Sequence, residues 1–246
     1  MEDSRKEKKG NDKVVELNTF SVPSDLGETK ENLSITTDKI SQYSIDGLFK
    51  QALIFQSEGK ISDAANIYQN LLEEGFCDPS LFNNYGVICK DKELIEKAID
   101  LFNESISKFP EYAYSYFNLG DIYKRSGRIE DAKKIIKKAI ALKPDFLNAH
   151  YSLALIYLDL EENKEAELCL KKIIEITPND TNAKNLLGDV LVKLGKYIEA
   201  EVVFRDSINI KKTAISYSNL SALMHKLGRF EEAEIYIRNA IDENPN

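Results

Sequence analysis

The sequence contains no tryptophan, only two methionines, and only two histidines, His150 and His225. Two histidines leave little material for a zinc site or a histidine-based catalytic triad. The three cysteines, Cys77, Cys89 and Cys169, are too few and too scattered for a disulfide framework or a CxxC metal knuckle. No GxSxG, GxxxxGK[ST], HExxH or GxGxxG stretch occurs. Long hydrophobic runs are missing too: nothing approaches the roughly 18 consecutive apolar residues of a membrane-spanning helix. The opening MEDSRKEKKG is charged but leads into no apolar segment longer than Val14-Val15-Glu16-Leu17, which excludes a conventional secretory signal. A reducing cytoplasm is the expected compartment. Positive charge is also in deficit, with 33 Lys and Arg against 41 Asp and Glu, a net charge of −8 over 246 residues. That balance lacks the electrostatic footprint of a nucleic-acid or anionic-membrane binder.

What is present divides into a tail and an array. Residues 1–44 are polar, with mixed charges and single apolar residues such as Phe20, Val22, Leu26 and Ile35 that follow no helical or strand period. Such a segment buries too little surface to offset its ordering entropy and reads as a disordered polar tail. From Ile45 the pattern changes. Alanines recur at Ala64, Ala98, Ala132, Ala166, Ala200 and Ala233, spaced by 34 residues four times and then by 33. A second column of small residues keeps step: Ala52, Gly86, Gly120, Ala154, Gly188 and Ser221. Pro110, Pro144, Pro178 and Pro245 form a third, with Lys212 where one proline would fall. An internal period of this length marks a repeat architecture.

Each repeat reads as two amphipathic helices. Tyr116, Leu119, Gly120 and Tyr123 follow the spacing of one helical face. Gly127 supplies a left-handed turn, as do Gly59, Gly195 and Gly228 elsewhere. A second helix then places Ala132, Ile135, Ile136, Ala139 and Ile140 on one face, and Pro144 ends it. The small columns fit antiparallel helices that approach closely only where side chains are nearly absent.

The period and the order aromatic–Leu–Gly–Tyr–Ala–Ala–Pro, complete in AYSYFNLGDIYKRSGRIEDAKKIIKKAIALKPDF at residues 113–146, resemble the tetratricopeptide repeat (TPR) family. The resemblance covers 45–246 as six units: 45–78, 79–112, 113–146, 147–180, 181–213 and 214–246. The pattern departs where Gln51 sits in the leucine column, where Glu93 replaces the turn glycine, and in the fifth unit, one residue short. Within the family the array is similar to bacterial arrays and to those preceding O-linked N-acetylglucosamine transferase catalytic domains. The resemblance implies an all-α fold, a right-handed superhelical solenoid of about six helix-turn-helix units, whose first helices line a concave groove. It also implies that asparagines in one column, Asn84, Asn118 and Asn219, contact the backbone of an extended peptide, with Lys50, Ser152 and Leu186 interrupting the ladder. An amide carries both a donor and an acceptor, so it pairs with a peptide group whatever the side chain. Lys124, Arg125, Tyr151 and Asn185 are further groove candidates, beside Tyr114, Phe117, Asp121 and Asp189.

The remaining chemistry-bearing residues have structural readings. His150 stands in the column of Phe82, Tyr116 and Tyr217 and reads as a packed helix residue; Cys89 replaces the aromatic of Tyr123 and Tyr157 and reads as a small buried hydrophobe. Glu161–Glu162 and Glu231–Glu232 flank helix starts, where the dipole favours negative charge. The basic and amide positions by which chaperone-binding TPR domains clamp a C-terminal carboxylate hold Phe49, Leu53, Asn84, Tyr114 and Asn118, so only one asparagine survives. The densest basic run, Lys133–Lys138, falls on a second helix, away from a groove that could follow phosphates. The expectation is therefore a non-catalytic protein-interaction scaffold with no cofactor or metal, binding a protein or peptide and neither nucleic acid nor membrane. The alternative is the substrate-recruiting arm of a longer enzyme, glycosyltransferase-like or another transferase, whose catalytic domain lies outside this chain. The last unit keeps Ile235, Ile237, Ala240 and Ile241 on its second helix with no capping helix after it, which predicts an unfinished end that self-associates or continues in a longer protein.

Overall fold

The computed structural model describes residues 45–244; the segment 1–44 read above as a tail, and Pro245–Asn246, lie outside the described residues. Within them are twelve α-helices and no strand. They are α1 (Ile45–Ser57), α2 (Ile61–Glu73), α3 (Pro79–Asp91), α4 (Ile95–Lys108), α5 (Ala113–Arg125), α6 (Ile129–Leu142), α7 (Leu147–Asp159), α8 (Asn163–Ile176), α9 (Thr181–Lys193), α10 (Tyr197–Ile210), α11 (Ala214–Lys226) and α12 (Phe230–Glu243). Two compact units meet between Phe76 and Cys77. The first holds α1 and α2, closed over Leu48, Ala52, Ala64, Ile67, Tyr68 and Leu71, with Phe49 against the rings of Tyr68 and Phe76. The second is a solenoid of five helix pairs, α3–α4 to α11–α12.

Local chemistry sets the helix limits. Pro79 occupies the first turn of α3, where its missing N–H costs nothing, and Asp78 accepts a hydrogen bond from Ser80 N at 2.8 Å. Asp180 and Thr213 cap α9 and α11 in the same way. Between the helices of a pair the chain turns through a left-handed residue, glycine at Gly127 (φ 76°) but glutamate at Glu93 (φ 61°) and Glu161 (φ 58°). A side chain there costs roughly 1–2 kcal/mol.

Within each pair the small columns are explained by what faces them. A Cβ added to Gly86 would come within 2.5 Å of Phe102, and one on Gly120 within 2.6 Å of Ile136. Gly188 stands closer still to Phe204. A large residue sixteen positions on fills the space that the glycine vacates. The other small column, Ala64 to Ala233, is buried throughout.

Successive pairs are joined on the second-helix side by a seam of charges. Lys133 Nζ lies 2.8 Å from Glu162, Lys196 Nζ 2.7 Å from Glu167, and Arg229 Nη1 2.6 Å from Glu201. Glu167 also pairs with Lys171, and these cations hold its carboxyl below the usual range. Arg229 and Arg205 do the same for Glu201.

Candidate functional site

The first helices of the second unit, α3, α5, α7, α9 and α11, present one face built from equivalent positions of successive repeats. Much of its polar chemistry is spent between neighbours. Asn118, 8% exposed, donates from Nδ2 to Asn83 Oδ1 at 2.8 Å, and Asn83 is 1% exposed. Asn118 therefore ties α5 to α3, where the ladder reading had it facing a ligand. Asp121 receives Lys90 Nζ at 3.1 Å and Arg125 Nε at 3.2 Å, so Arg125 leans on a nearly buried pair. Tyr151 donates to Asp180 Oδ2, while Oδ1 of the same carboxylate caps α9 at Ala183 N. Burial and that carboxylate push the Tyr151 hydroxyl well above the ordinary tyrosine range, fixing it as a donor. Tyr114 and Phe117 both pack on Phe146, and Lys143 Nζ donates to the Tyr114 hydroxyl at 2.6 Å.

Other candidates are uncommitted. Asn84, Lys124 and Asn219 are half-buried, and their side chains take no hydrogen bond or ion pair among the described residues. Asn185 is 7% exposed; its Nδ2 donates to Ser216 Oγ of α11 at 3.0 Å, and its Oδ1 has no partner. Whichever way the amide is turned, one of its polar atoms is left unpaired. A buried orphan of this kind costs about 1–3 kcal/mol.

Sequence reasoning named Asp189 and Leu186 but missed the cleft that they form with Leu158, Asp159, Val192 and Lys193. Among the described residues, a cleft of about 510 Å³ opens between α7 and α9, lined by Leu158, Asp159, Leu186, Asp189, Val192 and Lys193. Asp189 is exposed by area, yet the apolar atoms around it push its carboxyl up to about 6 against the pull of Lys193. Neither aspartate, nor Lys193, makes an ion pair among the described residues. The signal was available: Leu158–Asp159 and Val192–Lys193 are the 34-residue counterparts of Lys124–Arg125.

His150 has a structural post. Its Nε2 lies 2.9 Å from Pro144 O, as the Tyr116 hydroxyl lies 3.0 Å from Pro110 O one repeat earlier. Cys89 is buried, and burial raises its thiol pKa. Among the described residues no group of three or more metal-ligating side chains converges, and no helix is long and apolar enough to cross a membrane.

Models of the tetratricopeptide repeat match residues 46–74, 113–146, 131–190, 181–213 and 213–242, more than half of the chain. The chain belongs to the tetratricopeptide repeat family. Comparison with the curated proteins returns no match. Solved TPR structures resemble it in fold. One is the crystal structure of YrrB, a TPR protein with an unusual peptide-binding site: 22% identity, TM-score 0.67, covering 74% of this chain and 94% of YrrB. The MamA protein superposes with TM-score 0.62 at 21% identity, covering 68% of this chain and 92% of MamA. A TPR protein from Parabacteroides merdae gives 0.61 at 20%, covering 81% of this chain and 79% of the other. The TPR units matched include both α7–α8 and α9–α10, the two pairs that flank the cleft.

Proposed function

We propose that this TPR chain is a non-catalytic protein-interaction scaffold, and that the first-helix face receives an extended peptide or a segment of a partner protein. The observation that carries this reading is the contrast along that face. Asn118, Asp121 and Tyr151 are consumed by contacts with neighbouring segments of the array, while the side chains of Asn84, Lys124 and Asn219 stay unpaired and an open cleft lies between α7 and α9. Unpaired groups on a rigid face are what an extended backbone, with its alternating donors and acceptors, satisfies. The description of YrrB as carrying a peptide-binding site supports the reading by analogy of fold. The proposed partner is a protein in the cytoplasm, not a nucleic acid or a membrane, and the proposed array is 45–246 in six units.

Peptides selected from a random library on the immobilised protein test it. Bound peptide should shift the NMR signals of the first helices. Asn84→Ala or Asn219→Ala, whichever lies under the peptide, should weaken binding about two- to tenfold with unchanged melting, the worth of one net hydrogen bond. Peptides that perturb only the second helices would overturn the proposal.

Self-association through the last repeat is a second reading with its own observation: Phe230, Ile237 and Ile241 of α12 are all exposed. Sedimentation should then show association rising with concentration and abolished by Ile237→Lys with Ile241→Lys.

A further inference from the structure

The cleft between α7 and α9 differs from the rest of the first-helix face in two respects. Its walls are apolar, from Leu158 on α7 and Leu186 and Val192 on α9. Two carboxylates, Asp159 and Asp189, stand on it without an ion pair among the described residues.

We propose that this cleft is a side-chain subsite for arginine in an extended peptide: the aliphatic stem lies between Leu158, Leu186 and Val192, and the guanidinium meets Asp159 and Asp189. It rests on the first-helix face being the peptide-binding face and gives that face a specificity. The chemistry fits arginine more closely than lysine. A long basic side chain covers apolar surface with its methylenes while its head stays at the rim. A guanidinium is the more weakly hydrated cation and spans two carboxylates with its fixed fork, where an ammonium is a compact, strongly hydrated point. The carboxyl of Asp189, held up near 6 by its apolar surroundings, is a group that a neighbouring cation would stabilise in its charged form. Lys193 also lines the cleft but forms no ion pair with either aspartate, leaving both carboxylates open.

The experiment is a selection of random twelve-residue peptides on the full chain, followed by synthesis of the best binder and of its versions with arginine replaced by lysine, by neutral citrulline or by glutamate. The expected result is enrichment of one arginine at a fixed register. Citrulline should lower affinity roughly tenfold or more, as the loss of charge-assisted hydrogen bonds does. The loss should shrink to about twofold in Asp159→Asn with Asp189→Asn, the signature of direct coupling. Unchanged circular dichroism confirms that the variant is folded, and Asp121→Asn, outside the cleft, supplies a second carboxylate control. Peptides that bind the first-helix face without a basic preference, or a citrulline penalty equal in wild type and variant, overturn the subsite and leave the binding face standing. Peptides that bind only the second helices, or none at all, overturn both.

Discussion

Phe204 and Ile237 hold the same place in successive repeats, each on a second helix opposite a small residue of its own first helix. Phe204 is 1% exposed and Ile237 is 42% exposed. The sequence around them does not account for the difference; the neighbours do. α10 is packed closely by both α9 and α11, whereas α12 is packed closely by α11 and meets α10 through Arg205 against Tyr236 and Glu232. In a repeat array a second helix owes half of its burial to the pair that follows, so equal residues carry unequal stability according to position.

Substitution at the two places should expose that inequality most strongly. Phe204→Ala removes a fully enclosed ring, a change that costs about 3–5 kcal/mol, while Ile237→Ala at the half-open position should cost about 1 kcal/mol or less. Urea titration of both variants measures the gap; equal losses would mean that α12 is as enclosed as α10.

The glycine facing Phe204 sharpens the comparison. Gly188→Ala forces its methyl into the ring and should cost about 1–3 kcal/mol, with most of the loss recovered by adding Phe204→Leu. In the last repeat the corresponding residue is already Ser221, whose hydroxyl donates to Ala233 O at 2.7 Å. Ser221→Ala loses only that bond, about 1 kcal/mol. Thermal melts of the three variants check the set.

Acid should separate two kinds of carboxylate. Glu167 and Glu201 are held below the ordinary value of 4.5 by their cations, so an unfolded chain takes up their protons first. The stability they give is present above pH 4.5 and is lost as pH falls below it. Asp189 has the opposite sign: raised from 3.8 to about 6, it is protonated first in the folded state, so stability is lost as pH rises from 3.8 to about 6 and stays lowered above that. Asp189→Asn should therefore raise the melting temperature at pH 7.5 and leave it nearly unchanged near pH 4. Glu167→Gln should lower it at pH 7.5 and converge with wild type near pH 3.

The smallest effect concerns the turns. Glu161→Gly relieves a left-handed glutamate but adds freedom to the unfolded chain, for a net gain of about 0.5 kcal/mol, whereas Gly127→Ala loses about 1 kcal/mol. Calorimetry on the pair decides it.

The helical periodicity was legible because it depends only on which faces are apolar, and the small columns because close packing permits nothing larger. The departure at Glu93 was visible as a missing glycine; the equivalent Glu161 carries the same geometry and passed as a helix-start charge. Side-chain pairing was less legible. Asn118 meets Asn83, 35 residues away, and Asn185 meets Ser216, 31 residues away, so neither contact follows the 34-residue column on which the amide ladder was drawn. A repeat period aligns equivalent Cα positions, but hydrogen bonds across a helix pair join inequivalent ones. The far wall of the cleft escaped notice for a related reason, since it arises where two adjacent columns change between the third repeat and the fourth, Lys124 giving way to apolar Leu158 and Arg125 to acidic Asp159.

The charged seam has a consequence for the order of the repeats. At the third-to-fourth junction the earlier repeat contributes the cation, Lys133, and the later one the anion, Glu162; at the next two junctions the polarity is reversed, Glu167 to Lys196 and Glu201 to Arg229. Excising the fifth repeat would bring Glu167 against Arg229 and preserve the match. Excising the fourth would set Lys133 against Lys196, like against like. The array is thus directional and non-interchangeable: one unit can be skipped without conflict, and its neighbour is the adaptor that joins segments of opposite polarity.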